Sequence, residues 1–139
     1  MPSVRQVMTR DPIVLDADAT VGQAARAMRA RDVGDVLVRC EGALCGIVTD
    51  RDLVVRVLAC APQDCATKRL RDVCTGPLQT VPPDADVEDA IRLMREKAIR
   101  RIPVVDDGQP IGIVSLGDLA LARDRNSALG DISAAPPTR

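Results

Sequence analysis

Two pairs of side chains in this 139-residue chain carry chemistry at a suggestive spacing: Thr49 with Asp52, and Ser115 with Asp118. Each pair ends an apolar, strand-like run, in Gly46-Ile47-Val48-Thr49-Asp50-Arg51-Asp52-Leu53 and in Gly112-Ile113-Val114-Ser115-Leu116-Gly117-Asp118-Leu119. Each therefore falls where a helix is expected to start. A hydroxyl and an acid three residues apart at such a place form a capping box, which satisfies the free N–H groups of the first turn. The same groups also suit a phosphorylated nucleoside. Free N–H groups and the positive end of the helix dipole favour a phosphate, the hydroxyl adds a hydrogen bond, and an acid one turn on can accept both hydroxyls of a ribose. An adenine ring can then lie between aliphatic side chains while strand backbone pairs with its polar edge.

Composition removes most competing chemistries. The chain has no His, Phe, Trp or Tyr. Ser-His-Asp and Cys-His nucleophiles, His-rich zinc sites and imidazole bases are excluded, and with no convincing carboxylate pair the chain is read as not an enzyme. Stacking of bases on aromatic rings is excluded as well. Lys plus Arg is 19 against Asp plus Glu 20, so there is no basic footprint for a phosphate backbone, and nucleic acid is not an expected partner. No signal peptide and no apolar run near the roughly 20 residues of a bilayer span is present, which predicts a cytoplasmic protein with no membrane partner. At 46 % hydrophobic and 28 % charged residues the chain should bury a core.

The cysteines, Cys40, Cys45, Cys60, Cys65 and Cys74, are odd in number and form no CxxC spacing. They are expected to be free buried thiols, with a four-cysteine zinc site as a poorer rival and a redox switch at Cys74 left open. Asp50 and Asp52 are too few to imply a metal by themselves, although a nucleotide could bring Mg²⁺.

The elements that must position the two hydroxyl–acid pairs come in duplicate. An offset of 66 residues aligns Val7 with Val73, Thr9 with Thr75, Asp18-Ala19 with Asp84-Ala85, Met28 with Met94 and Gly42 with Gly108, giving 16 identities over 47 ungapped positions. In each copy an extended stretch (Ile13 to Leu15; Leu78 to Val81) leads to a capped helix. Val21, Ala24, Ala25 and Met28, like Val87, Ala90, Ile91 and Met94, sit at i, i+3, i+4, i+7, the stripe of a helix packed on a core. Then follow two short strands around a turn at Glu41-Gly42 or Asp107-Gly108, and a second helix opening at Thr49 or Ser115. The fold class is thus α/β (α+β), two tandem β-α-β-β-α repeats at 1–60 and 70–124, a linker at 61–69 and a tail at 125–139. One copy alone has little apolar area, so the two sheets are expected to pack face to face about a pseudo-two-fold axis and leave two equivalent clefts.

Both copies resemble CBS domains, and the tandem pair resembles a Bateman module. The resemblance rests on Val7-Met8-Thr9, Asp18-Ala19-Thr20-Val21, Val36 to Val38, Glu41-Gly42 and the Gly46 to Leu53 element, each with its second-copy counterpart. It implies a regulatory, non-catalytic module that binds adenosyl ligands: AMP, ADP, ATP or S-adenosylmethionine. By position it places Asp52 and Asp118 on ribose and Thr49 and Ser115 on phosphate. It places Val36, Leu37 and Val38, with Val14, beside one base, and Ile102, Pro103 and Val104, with Thr80, beside the other. The family's Pro is kept as Pro103 but is Leu37 in the first copy. Arg100-Arg101 replace Gly34-Asp35 and make the second cleft the more phosphate-friendly; read individually, Arg51, Arg100 and Arg101 are ordinary solvated or interface arginines. The resemblance also implies a homodimer and a separate effector protein. The competing reading is a structural or protein-interaction dimer in which the hydroxyl–acid pairs only cap helices.

Overall fold

A computed structural model describes residues 2–76 and 78–123, so the predicted tail at 125–139 lies outside the described residues. In chain order, α1 (Val4–Val7) and β1 (Thr9–Arg10) precede a first run of β2 (Val14–Asp16), α2 (Val21–Arg31), β3 (Asp35–Cys40), β4 (Ala43–Thr49) and α3 (Asp50–Asp52). Helix α3 continues as a π-helical stretch, Leu53–Leu58, and two 3₁₀ turns follow at Pro62–Asp64 and Leu70–Asp72. The second run is α4 (Val87–Lys97), β5 (Arg101–Asp106), β6 (Gln109–Ser115) and α5 (Leu116–Arg123). No helix among the described residues is long and apolar enough to cross a membrane.

The helix starts follow from their caps. Thr20 Oγ1 accepts the Gln23 amide at 3.1 Å and Gln23 Oε1 accepts the Thr20 amide at 2.8 Å, a complete capping box. In the second copy Asp89 Oδ2 accepts the Asp86 amide at 3.3 Å. Both helices end on a left-handed residue, Asp32 (φ 55°) and Ala98 (φ 54°). The hairpin turns hold two consecutive positive φ values, at Glu41-Gly42 and Asp107-Gly108, the twist that closes a tight two-residue hairpin.

The chain forms two compact units, one of residues 12–78 and one of residues 1–11 with 79 onward. Each has a three-stranded sheet, ordered β2-β3-β4 in the first and β1-β6-β5 in the second. The leading segment of each copy is therefore built into the other copy's unit. Thr9 of β1 lies opposite Ile113 of β6, and the Val4 amide donates to Ala85 O at 2.8 Å. The equivalent segment before the second copy docks on the first: Thr75 and Ile47 exchange backbone bonds of 3.0 and 3.1 Å, and the Leu70 amide donates to Ala19 O at 2.9 Å. Of the predicted extended stretch from Leu78 to Val81, Val81 makes an isolated bridge to Val104, not a strand.

The helical stripes are core where their spacing predicts it, except that Ala25 is exposed and Ile91 only half-buried. Val21, Ala24 and Met28 pack with Val36, Val38, Val48 and Leu70, while Val87, Ala90 and Met94 pack with Ile102, Val104, Val114 and Leu119. The expectation of five free buried thiols is overturned. Cys40 and Cys45 are joined in a disulfide across the β3–β4 hairpin, Cys60 is exposed, and Cys65 and Cys74 are half-buried. Residues five apart lie close in space because the turn folds one strand back on the other.

Candidate functional site

Both hydroxyl–acid pairs close as reciprocal capping boxes. The Asp52 amide donates to Thr49 Oγ1 at 3.2 Å and the Thr49 amide to Asp52 Oδ2 at 2.9 Å. The Asp118 amide donates to Ser115 Oγ at 3.2 Å and the Ser115 amide to Asp118 Oδ2 at 2.8 Å. Strand β4 or β6 delivers the hydroxyl, and the helix that follows at once delivers the acid, so the geometry is set by a direct strand-to-helix junction.

The two starts differ in what remains free. In the first copy the Asp50 amide donates to Gly34 O at 3.0 Å and the Arg51 amide to Asp50 Oδ1 at 2.8 Å, so the first turn's donors are already taken. Asp52 Oδ1 also faces Arg56 Nε at 3.8 Å. In the second copy the Leu116 amide donates to Arg100 O at 2.9 Å, but Leu116 replaces Asp50 and Gly117 replaces Arg51, so no acid side chain covers the next amide. Among the described residues, Asp118 Oδ1 has no partner corresponding to Arg56.

The strand residues singled out from the sequence do not share one face, because successive side chains on a strand alternate. Val36 and Val38 sit in the core beneath α2, and Ile102 and Val104 in the core beneath α4. Leu37 and Pro103 are buried outside both clusters, on the opposite faces of their sheets. Val14 lies opposite Leu37, which lies opposite Ile47, so these three form one row; Thr80 is exposed beside Val81. Two residues beyond Leu37 on the same strand face, Arg39 keeps a buried Nε without a hydrogen-bond partner, a cation that sequence reasoning did not single out. Its signal, a charged residue closing the apolar Val36 to Val38 run, was available.

Arg51 and Arg100 are exposed, and Arg101, at the start of β5, lies opposite Ser115. Arg100 also lines a cavity of about 470 Å³ between α4 and the start of α5, with Met94, Arg95, Leu116 and Leu119. A second cavity of about 390 Å³, apolar and lined by Val21, Ala25, Leu53, Leu58 and Cys65, lies between α2 and the π-helical stretch. No group of three or more His, Cys, Asp or Glu side chains that could hold a metal ion occurs among the described residues, so the four-cysteine zinc rival finds no support there.

The sequence model of the CBS domain matches residues 4–59 and 70–125, each span ending beyond one of these strand-to-helix junctions. The chain belongs to the CBS domain family. Its two CBS domains stand in tandem, and CBS domain-containing protein YhcV of Bacillus subtilis is 36 % identical over 130 residues, covering 94 % of this chain and 91 % of that protein. A solved CBS-domain containing protein from Agrobacterium tumefaciens matches this CBS pair with a TM-score of 0.75 and 25 % identity, over 88 % of this chain and 99 % of that one. The CBS domain pair of protein MJ0100, solved with 5′-methylthioadenosine and S-adenosyl-L-methionine, shares the fold at a TM-score of 0.78 and 23 % identity, over 91 % of this chain and 99 % of that one.

Proposed function

We propose that this CBS pair is a non-catalytic regulatory module that binds an adenosyl ligand, AMP, ADP, ATP or S-adenosylmethionine, first at the second repeat. The observation that supports this reading is the second strand-to-helix junction, where Ser115 and Asp118, the pair to which the family resemblance gives the ligand roles, leave one carboxylate oxygen, Asp118 Oδ1, outside the capping box. That oxygen would accept a ribose hydroxyl while Oδ2 holds the helix start, so binding need not break the cap. Ser115 Oγ and the Gly117 amide would meet a phosphate or carboxylate, and Arg101 at the start of β5 lies across from Ser115. Thr49 and Asp52 form the corresponding first site, with fewer free donors. Output passes through a change in the relation of the repeats, through self-association or through a separate effector, and requires only that the ligand prefer one arrangement.

Titration calorimetry and thermal shift with each of the four compounds test the reading. Saturable binding and a raised Tm support it; no stabilisation by any of them at millimolar levels overturns it. The closed boxes favour one competing reading, a structural CBS pair whose hydroxyl–acid residues do nothing but cap, and that second outcome would favour it further.

A further inference from the structure

Three cysteines lie on neighbouring stretches of backbone in the unit of residues 12–78, outside the proposed ligand site. Cys40 and Cys45 are bonded across the β3–β4 hairpin. Cys74 packs against the next residue of β4: a Cβ added to Gly46 would stand 2.7 Å from Cys74 Sγ. The segment carrying Cys74 is pinned there by the Thr75–Ile47 backbone bonds and by Gly76, whose Cβ would collide with Cys45 O. The ladder register slips beside Val38 and Arg39, leaving Cys45 as the unpaired residue of a β-bulge next to Gly46. Cys40, Cys45 and Cys74 all pack against the same core, half-buried.

The second repeat shows that the backbone needs none of the three. Its hairpin carries the same register slip between Val104 and Val105, with Asp106 and Ile111 in place of Cys40 and Cys45. Met8 takes the place of Cys74, its Sδ 2.5 Å from a Cβ added to Gly112. The disulfide also closes only a five-residue separation that the hairpin's hydrogen bonds already close, so it constrains the unfolded chain little. Sulfur here is spare for folding and grouped for reaction.

We propose that Cys40, Cys45 and Cys74 form a thiol–disulfide exchange site. The Cys74 thiolate, its proton passed to solvent, attacks Cys45 Sγ; the Cys40–Cys45 bond breaks, a Cys45–Cys74 bond forms, and Cys40 leaves as a thiolate that takes up a proton. One disulfide is exchanged for another, so no outside oxidant or reductant is consumed. The exchange moves the crosslink from inside the hairpin to a clamp between β4 and the segment that leads out of the unit. A small thiol or disulfide of the glutathione class that engages any of the three sulfurs would set which crosslink is present.

Peptide mapping of the full chain tests this, because trypsin cuts after Arg39, Arg51, Arg71 and Arg92 and so leaves Cys40 with Cys45 on peptide 40–51 and Cys74 on peptide 72–92. In Cys40→Ser, treated with oxidised glutathione and alkylated in acid, peptides 40–51 and 72–92 are expected to be joined, and the join is expected to vanish in Cys40→Ser with Cys74→Ser. Recovery of both peptides with separately modified thiols, from a variant that still melts cooperatively, would overturn the proposal. The wild type gives a readout that needs no substitution: after mildly alkaline incubation and trapping, a population alkylated at Cys40 and joined through Cys45–Cys74 is expected. If Cys74 is the only one of the three ever alkylated, the site does not exchange.

Discussion

Ser115 and Asp118 hold each other through two amide-to-side-chain bonds of 3.2 and 2.8 Å, so one acid starts helix α5 through Oδ2 and keeps Oδ1 outside the box. Asp118→Ala is therefore expected to lose both roles. The capping loss should destabilise the second unit by about 1 kcal/mol, and adenosyl affinity should fall about tenfold or more as a charge-assisted bond to ribose disappears. Asp118→Asn keeps an acceptor for the cap and should separate the effects, with near-native Tm and weakened binding by calorimetry. Equal affinity in all three proteins would remove Asp118 from the ligand site.

Asp52→Ala should cost the first unit a similar cap, about 1 kcal/mol, but should change adenosyl affinity less than Asp118→Ala does. The reason is local, since Asp52 Oδ1 already faces Arg56 and the Arg51 amide is already held by Asp50. Paired titrations of the two variants decide the order; a larger affinity loss from Asp52→Ala would reverse the ranking of the sites.

Close backbone approach makes Gly76 and Gly112 intolerant of a methyl group. At Gly76 the added Cβ meets the Cys45 carbonyl, and at Gly112 it stands 2.9 Å from Thr9 O as well as against Met8. Backbone cannot swing aside as a side chain can, so Gly76→Ala and Gly112→Ala should each cost about 1–3 kcal/mol in urea denaturation. Gly42→Ala meets open space, and its penalty should come from the left-handed turn alone (φ 85°).

Leu70, the first residue of the second repeat, is fully buried in the first core. Leu70→Ala should cost about 2–5 kcal/mol as a large-to-small core change. Val54→Ala, at a residue 54 % exposed, should stay within about 0.5 kcal/mol. Equilibrium unfolding that shows comparable losses would mean that the segment carrying Leu70 is not docked on the first core in solution.

Asp18 and Arg71 form an exposed pair, with Arg71 Nε donating to Asp18 Oδ1 at 2.9 Å. That hydrogen bond raises the arginine's pKa above its already high ordinary value, so Arg71 stays a cation throughout any working pH range. Ionic strength should act on the pair, which is exposed on both sides. The small Tm difference between the wild type and Arg71→Ala should shrink as salt approaches about 1 M, where the Debye length is about 3 Å.

Local rules were enough for much of this protein. The 66-residue duplication, the apolar stripes of α2 and α4, the boxes at Thr20, Thr49 and Ser115 and the turns at Glu41-Gly42 and Asp107-Gly108 all depend on residues within a turn or two of one another, so their spacing alone specifies them. Tertiary structure decided everything that depends on which segments meet. It built Thr9 and Thr75 into the opposite repeats' units, because each extended segment finds an open strand edge there. It joined Cys40 to Cys45 where counting cysteines suggested free thiols, because a hairpin converts a five-residue separation into a contact. It also set Leu37 between Val14 and Ile47, because strand register is fixed by segments remote from one another in the chain.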